Sequence, residues 1–269
     1  MGVGVFDSGL GGLSVLQALR AELPQQDFIY IADSGHAPYG ERDEAHVIAR
    51  SRALAAWLLD QGVQTLVVAC NTATAAAVDV LRAEHPDLPI IGVEPALKPA
   101  AALSKTRRIG VMATRSTLAS ARFQALLTSL STQAEFVLRP CDGLAEAIER
   151  AAVRPEDAPE LIAACARHTG AMGRFGSKTG EIDTLVLGCT HYPFAGDVLR
   201  SLLGTDVRLV DTATPVARQT RLRLPAAPTS GIRAGGGQLQ LFSTGQPPVL
   251  QAAVQRWLLL DIPAARLDC

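Results

Sequence analysis

Long apolar runs, blocks of like charge and paired cysteine motifs are all missing from this sequence. No apolar stretch approaches the roughly 20 residues that cross a bilayer, so a membrane span is excluded. The 25 basic and 26 acidic residues nearly cancel, giving a net charge of −1, and no basic stripe or charged tail stands out. A nucleic-acid partner is therefore not indicated. The opening residues do not read as a leader: Val3-Gly4-Val5-Phe6 is strand-like, and Phe6 stands where a myristoylation signal requires a hydroxyl residue. These absences point to the cytoplasm. Cysteines number five, an odd count without a C-x-x-C pair. That argues against a disulfide or zinc framework and leaves free thiols in a reducing compartment, with no metal implied.

What is present begins with a phrase that occurs twice. Gln64-Thr65-Leu66-Val67-Val68-Ala69-Cys70-Asn71-Thr72-Ala73 is matched position for position by Asp183-Thr184-Leu185-Val186-Leu187-Gly188-Cys189-Thr190-His191-Tyr192. A short aliphatic run closed by small and polar residues reads as a buried strand ending in a turn. Strand-like and helix-like segments alternate on either side of it, with strands at 2–6, 28–32, 65–69 and 89–93 and helices reaching 21, 43–61 and 73–84. A second start, Arg108-Ile109-Gly110-Val111-Met112-Ala113-Thr114, resembles the opening one. It leads to helices at 118–130, through 149, and at 158–167, then a Gly-rich loop at 169–180. Strands near 209–211 and 239–245 and a helix near 249–260 close the chain. This alternation predicts a parallel-sheet α/β fold. The reading is two pseudo-symmetric α/β domains with central parallel sheets and the active site in the cleft between them. Residues 1–97 with 211–269 form the first, and 98–210 the second.

Ligands gather at the carboxyl ends of strands in such folds, and four segments sit there. Asp7-Ser8-Gly9-Leu10-Gly11-Gly12 is either a tight turn or a loop whose amides hold an anion. It is not a dinucleotide fingerprint, since Ser14 replaces the last glycine, and it has no P-loop lysine. Asp7 favours function, because a carboxylate there can bind an ammonium or orient a base. Asp33 to Gly40 is a Pro-containing turn offering Ser34 and Tyr39 hydroxyls. After Cys70, either Asn71 or Thr72 can cap the following helix, whose dipole favours a thiolate. Cys189 is followed two residues on by His191.

A single intracellular cysteine is most simply a small buried hydrophobe, a description that suits Cys165 and the terminal Cys269. It fits Cys70 and Cys189 poorly. Two thiols in separate repeats suit the inversion of a stereocentre: one removes a proton from one face of a carbon while the other delivers a proton to the opposite face. Asn71-Thr72 differs from Thr190-His191, so the two thiols are similar without being equivalent.

The segments 4–15, Ala32-Asp33 with Pro38-Tyr39-Gly40, Val68 to Ala73, and Gly188 to Pro193 resemble the glutamate racemase family, and the likeness extends to Ser243-Thr244-Gly245. The resemblance implies a cofactor-independent racemase that acts on glutamate, supplies D-glutamate for bacterial peptidoglycan and forms a homodimer. It implies that Cys70 acts as base on D-glutamate and Cys189 on L-glutamate, assisted by Asp7 and His191 respectively. Asp7, Ser8, Tyr39, Gly40, Asn71, Thr72, Thr190 and His191 are implied to line the substrate, as are Thr114 and Thr117, which match a ligand-contacting threonine pair. Asp33 and Glu149 match family acids of less defined role. No N-terminal extension of the kind found in precursor-activated relatives precedes the first motif, so that control is not expected.

Two rivals stay within the superfamily: a racemase of aspartate or another amino acid, which His191 disfavours because aspartate racemases usually carry Glu there, and a decarboxylase or isomerase that need not keep both cysteines. A nucleotide-binding module is the alternative of another class. It would need a lysine in the 9–12 loop or an acid at the second strand's end, a condition Asp33 meets weakly.

Overall fold

Val3 and Val5 on one side of a strand and Phe6 on the other are all fully buried, as a parallel sheet covered on both faces requires. That strand, β1 (Gly2–Asp7), opens a computed structural model that describes residues 2–225 and 236–269. The chain continues as α1 (Leu13–Glu22), β2 (Asp27–Ala32), α2 (Glu44–Asp60), β3 (Val63–Val68), α3 (Asn71–Glu84) and β4 (Ile90–Gly92). Next come α4 (Leu97–Leu103), β5 (Arg108–Ala113), α5 (Arg115–Ala119), α6 (Ala121–Leu130), β6 (Glu135–Pro140), α7 (Leu144–Val153) and α8 (Ala158–Gly170). The last elements are β7 (Thr184–Gly188), α9 (Gly196–Leu203), β8 (Arg208–Val210), α10 (Ala213–Arg223), β9 (Leu239–Ser243), α11 (Pro247–Leu258) and β10 (Ala264–Arg266). Among the described residues no helix is long and apolar enough to cross a membrane.

The chain divides into two compact units, residues 1–93 with 213–269 and residues 94–212. The first holds a six-stranded sheet in the order β10-β9-β2-β1-β3-β4, the second a four-stranded sheet in the order β6-β5-β7-β8. Among the described residues every strand pairing is parallel. The core order of the first, β2-β1-β3-β4, is repeated in the second as β6-β5-β7-β8, so β3 and β7 occupy the same place and the twice-written phrase is one structural position used twice. Beneath each sheet lies its own core: Phe6, Ile31, Leu54, Leu58, Leu66 and Leu81 in the first, Leu97, Ile109, Val111, Phe123, Leu130 and Val186 in the second.

Three local readings change. The helix predicted over 118–130 is two helices, because Ser120 is extended (φ −66°, ψ 142°) and its hydroxyl accepts from the Phe123 amide at 3.2 Å, capping α6. The Gly-rich stretch is helical through Gly170, the end of α8. The helix cap after β3 is neither Asn71 nor Thr72 but Cys70 itself, whose sulfur lies 3.5 Å from the Ala73 amide.

Candidate active site

In the first unit the relevant side chains rise from adjacent strand ends. Register fixes this: Asp7 pairs with Ala32, Phe6 with Val68, and the Ala69 amide donates to the Phe6 carbonyl. Asp7, Asp33 and Cys70 therefore leave the sheet side by side. Asp7 is fully buried, and its own loop satisfies it: the Ser8 amide donates to Oδ1 at 2.8 Å and the Gly12 amide to Oδ2 at 2.5 Å. The anion held by the amides of this glycine-rich loop is thus the chain's own carboxylate. Gly12 is required for that approach, because a Cβ there would lie 2.7 Å from the Asp7 Cβ and 2.9 Å from the Tyr30 hydroxyl. The nucleotide alternative loses its loop to this arrangement.

Ser8 connects the acid to the thiol. Its Oγ is 3.4 Å from Asp7 Oδ1 and 3.5 Å from Cys70 Sγ. Cys70 is 5% exposed. With the Ala73 N–H directed at it from the start of α3, its sulfur is placed where negative charge is stabilised. Next to it, Asn71 is buried; its Nδ2 donates to the Val93 carbonyl at 3.4 Å, while Oδ1 finds no donor among the described residues. Thr72 is buried one residue further on.

Tyr39 departs from the expectation of a hydroxyl offered to a ligand. Its ring is in the core and its hydroxyl donates to Asp33 Oδ2 at 2.6 Å. Gly40 is half-buried in the turn that Tyr39 opens. Asp33 is fully buried and also receives Arg50 Nε and Nη2 at 3.0 and 2.9 Å and the Thr244 hydroxyl at 2.8 Å. Burial would raise its pKa, but the bonds from Arg50, Tyr39 and Thr244 outweigh it and hold the carboxyl below its ordinary value.

The second unit builds its thiol site differently. Cys189 follows β7, buried, with its sulfur 3.6 Å from His191 Nδ1; His191 Nε2 is 2.7 Å from Glu149 Oε1 on α7. Burial alone would lower the imidazole pKa. The contacts to Cys189 and Glu149 overcome that and raise it well above the usual histidine value, which favours the protonated ring. Instead of an α-helix directly after the cysteine, a short 3-10 turn at Tyr192–Ala195 follows. Thr190 is buried alongside. Thr114 caps α5, accepting from the Thr117 amide at 3.2 Å and donating to the Thr117 hydroxyl at 2.8 Å.

Cys141 occupies in this sheet the place Asp33 holds in the other, since its amide donates to the Ala113 carbonyl as that of Asp33 does to Asp7. Burial pushes its thiol up to about 12, which keeps it protonated. Cys165 is likewise raised, to about 11, by burial. Cys269 is exposed, against the expectation of a buried small residue, and its carbonyl accepts from Arg50 Nη1 at 2.9 Å. Sequence reasoning missed two participants. Tyr192, fully buried, donates to the Cys141 carbonyl at 3.5 Å, and Arg50 clamps Asp33. Tyr192 stands inside the 188–193 motif without being singled out there, and no pattern in the sequence flags Arg50.

A buried thiol follows the corresponding strand in each of two like parallel sheets, which marks the chain as an α/β protein built from two repeated units. The family model described as Asp/Glu/Hydantoin racemase matches residues 13–220. Glutamate racemase of Ralstonia pickettii is 46% identical over 266 residues, covering 98% of this chain and 90% of that protein. Among solved structures, glutamate racemase isoform RacE1 of Bacillus anthracis superposes with a TM-score of 0.84 at 31% identity, covering 99% of this chain and 97% of the other. Glutamate racemase of Escherichia coli, solved with L-glutamate and the activator UDP-MurNAc-Ala, gives 0.80 at 28% identity, covering 98% and 97%. The chain belongs to the Asp/Glu/hydantoin racemase family, among its glutamate racemases.

Proposed function

We propose that the protein interconverts L- and D-glutamate by proton transfer at the α-carbon, with Cys70 and Cys189 as the two bases and no cofactor. The observation that carries this reading is the repeated strand position: β3 and β7 each lead out into a buried cysteine, and each cysteine has a different means of carrying negative charge. With D-glutamate, the Cys70 thiolate takes the α-proton and becomes a thiol. The carbanion then takes a proton from the Cys189 thiol on its other face, giving L-glutamate and a Cys189 thiolate. The reverse reaction starts from that state, so each turnover exchanges the two protonation states.

The neighbours fit these roles. The Ala73 amide and the Ser8 hydroxyl stabilise charge on Cys70, and Asp7 orients Ser8. His191, held protonated by Glu149, stabilises charge on Cys189. The unpartnered Asn71 Oδ1 is a buried acceptor suited to the substrate ammonium. Gly40, in the turn that Tyr39 holds, and Thr72, Thr114, Thr117 and Thr190 line the substrate in this reading, on the strength of the motifs they stand in. The biological role is supply of D-glutamate for peptidoglycan by a cytoplasmic homodimer, which light scattering on the purified protein tests separately.

The direct test is racemisation of glutamate and aspartate enantiomers in deuterium oxide without added cofactor, followed by polarimetry and NMR. Glutamate should racemise and gain α-deuterium. Cys70→Ser and Cys189→Ser should each abolish it. A single variant that racemises at the parental rate removes that cysteine from the mechanism, and turnover of aspartate but not glutamate overturns the substrate.

A further inference from the structure

Asp33 lies beside the Cys70 site and has the look of a third base. Its surroundings exclude that role. Oδ1 contacts Arg50 Nη2 at 2.9 Å, the Thr244 hydroxyl at 2.8 Å and His36 Nδ1 at 3.1 Å; Oδ2 takes the Tyr39 hydroxyl at 2.6 Å and Arg50 Nε at 3.0 Å. Five polar contacts occupy a group with about four lone-pair positions. The carboxylate is full, and a proton could reach it only by displacing one of them.

What it does instead follows from where those donors come from. Tyr39 opens the turn that contains Gly40, and Thr244 follows β9. The Thr244 hydroxyl also accepts from the Gly35 amide at 3.1 Å, and Gly35 packs so closely that a Cβ would lie 2.6 Å from the Thr244 carbonyl. Arg50, on α2, is the cation of this cluster. Its planar fork meets both Asp33 oxygens, and its remaining nitrogen reaches the Cys269 carbonyl. The segment from Asp33 to Gly40 is thus tied through one carboxylate to a helix, a strand end and the last residue.

We infer that Arg50 is a positioning residue for substrate binding: by forking onto Asp33 it fixes Tyr39, and through Tyr39 the Tyr39–Gly40 turn. This rests on the reading that the turn lines a glutamate site, and nothing in it requires Arg50 to touch substrate. Lysine cannot replace the fork, because an ammonium is a point donor.

The test is steady-state racemisation by Arg50→Met, Arg50→Lys, Asp33→Asn and Tyr39→Phe, with KM, kcat and the α-deuterium isotope effect measured for both enantiomers. Misplacing a binding segment should raise KM about tenfold or more for both enantiomers while kcat stays within about twofold. Arg50→Lys should fall between the parent and Arg50→Met. The isotope effects should match the parent, and Arg50→Met combined with Asp33→Asn should be no worse than the poorer single variant, since the two act as one unit. If Arg50→Met fails to fold, Arg50→Lys and Tyr39→Phe, which removes only one hydroxyl, carry the test. Parental KM in both overturns the inference. So does a fall in kcat with a larger isotope effect on D-glutamate, which would place the cluster in proton transfer at Cys70. A parental protein inert toward glutamate would instead defeat the proposed function itself.

Discussion

Glutamine at position 149 would separate the two functions of the Glu149 side chain, its shape and its charge. Glu149 Oε1 lies 2.7 Å from His191 Nε2, with the carboxylate 28% exposed and the imidazole buried. Glutamine preserves the reach and one acceptor but removes the anion. A hydrogen bond to a charged group contributes about 1.5–3 kcal/mol, and partial solvent access places this one near the lower end, about 1.5 kcal/mol. That shifts the balance between imidazolium and neutral ring beside Cys189 by roughly a factor of ten toward the neutral form. The sign follows from the raised histidine pKa: the protonated ring persists to higher pH than free histidine, and losing Glu149 ends that persistence earlier. Glu149→Gln should therefore move the alkaline limb of kcat/KM toward lower pH, with the loss in kcat/KM approaching about tenfold on that limb and smaller below it.

Because the equilibrium constant of a racemase is one, kcat/KM falls equally in both directions and cannot say which thiol was weakened. The α-deuterium isotope effect can. Cys189 removes the proton of L-glutamate, so weakening that step should enlarge the effect for the L substrate and leave the D substrate near the parental value. A pH profile superimposable on the parent, or an isotope effect that grows only with D-glutamate, refutes the assignment of Glu149 and His191 to Cys189.

Three further outcomes follow from geometry away from the thiols. Asp183 accepts from the Ser104 hydroxyl and the Lys105 amide at 2.6 Å each, the Thr184 hydroxyl at 2.9 Å and the Thr106 amide at 3.0 Å; Asp183→Ala should cost about 3 kcal/mol in a urea titration. Burial would raise the Asp183 pKa, but these bonds lower it, so its contribution is complete above the unfolded-state pKa and is lost as pH falls through the folded one. Parent and variant should then converge in acid; a constant gap across pH would show that the charge is not the source. Gly12→Ala should displace the Asp7 carboxylate and cost about 1–3 kcal/mol by overpacking, with a fall in kcat/KM that a surface alanine does not produce. Ser120→Ala should remove the cap of α6 at about 1 kcal/mol, seen by thermal melting, with kinetic constants unchanged.

The legible parts of this molecule are those where one requirement dominates the local sequence. β3 and β7 are buried on both faces, so each is an unbroken aliphatic run, and the polar residues after each cysteine mark the exit. β6 was not legible for the opposite reason. Glu135-Phe136-Val137-Leu138-Arg139-Pro140 is only half-buried, its ends are charged or proline, and nothing announces a strand. α10 is polar enough along its length to read as a connection, yet it packs on α1. The site shows the same division. Cys70 and Cys189 were found because a repeat marks them, whereas Arg50 is one of two arginines on an ordinary helix. Its partner is seventeen positions earlier in sequence, and only the fold turns that separation into a bidentate pair.

The repeat also explains why the two halves need not treat their thiols alike. At the strand position next to the central one, the first sheet carries Asp33, ionised and tied to Arg50, while the second carries Cys141, buried and protonated. After the cysteine, the first unit starts an α-helix whose amide meets the sulfur; the second turns through a 3-10 segment and brings an imidazole instead. Backbone amides cannot titrate, so the amide part of the charge support at Cys70 is constant with pH. The support at Cys189 depends on a proton held between a thiol and a carboxylate. It follows that the charge support at Cys189, unlike the amide at Cys70, should contribute to the alkaline limb of the reaction. His191→Asn, which keeps a polar side chain but cannot carry the proton, should flatten that limb while lowering kcat, and Ser8→Ala should lower kcat without moving the limb at all. A limb that shifts in Ser8→Ala, or survives unchanged in His191→Asn, would mean that the pH dependence arises at Cys70, and the proposed division of labour between the repeats would be wrong.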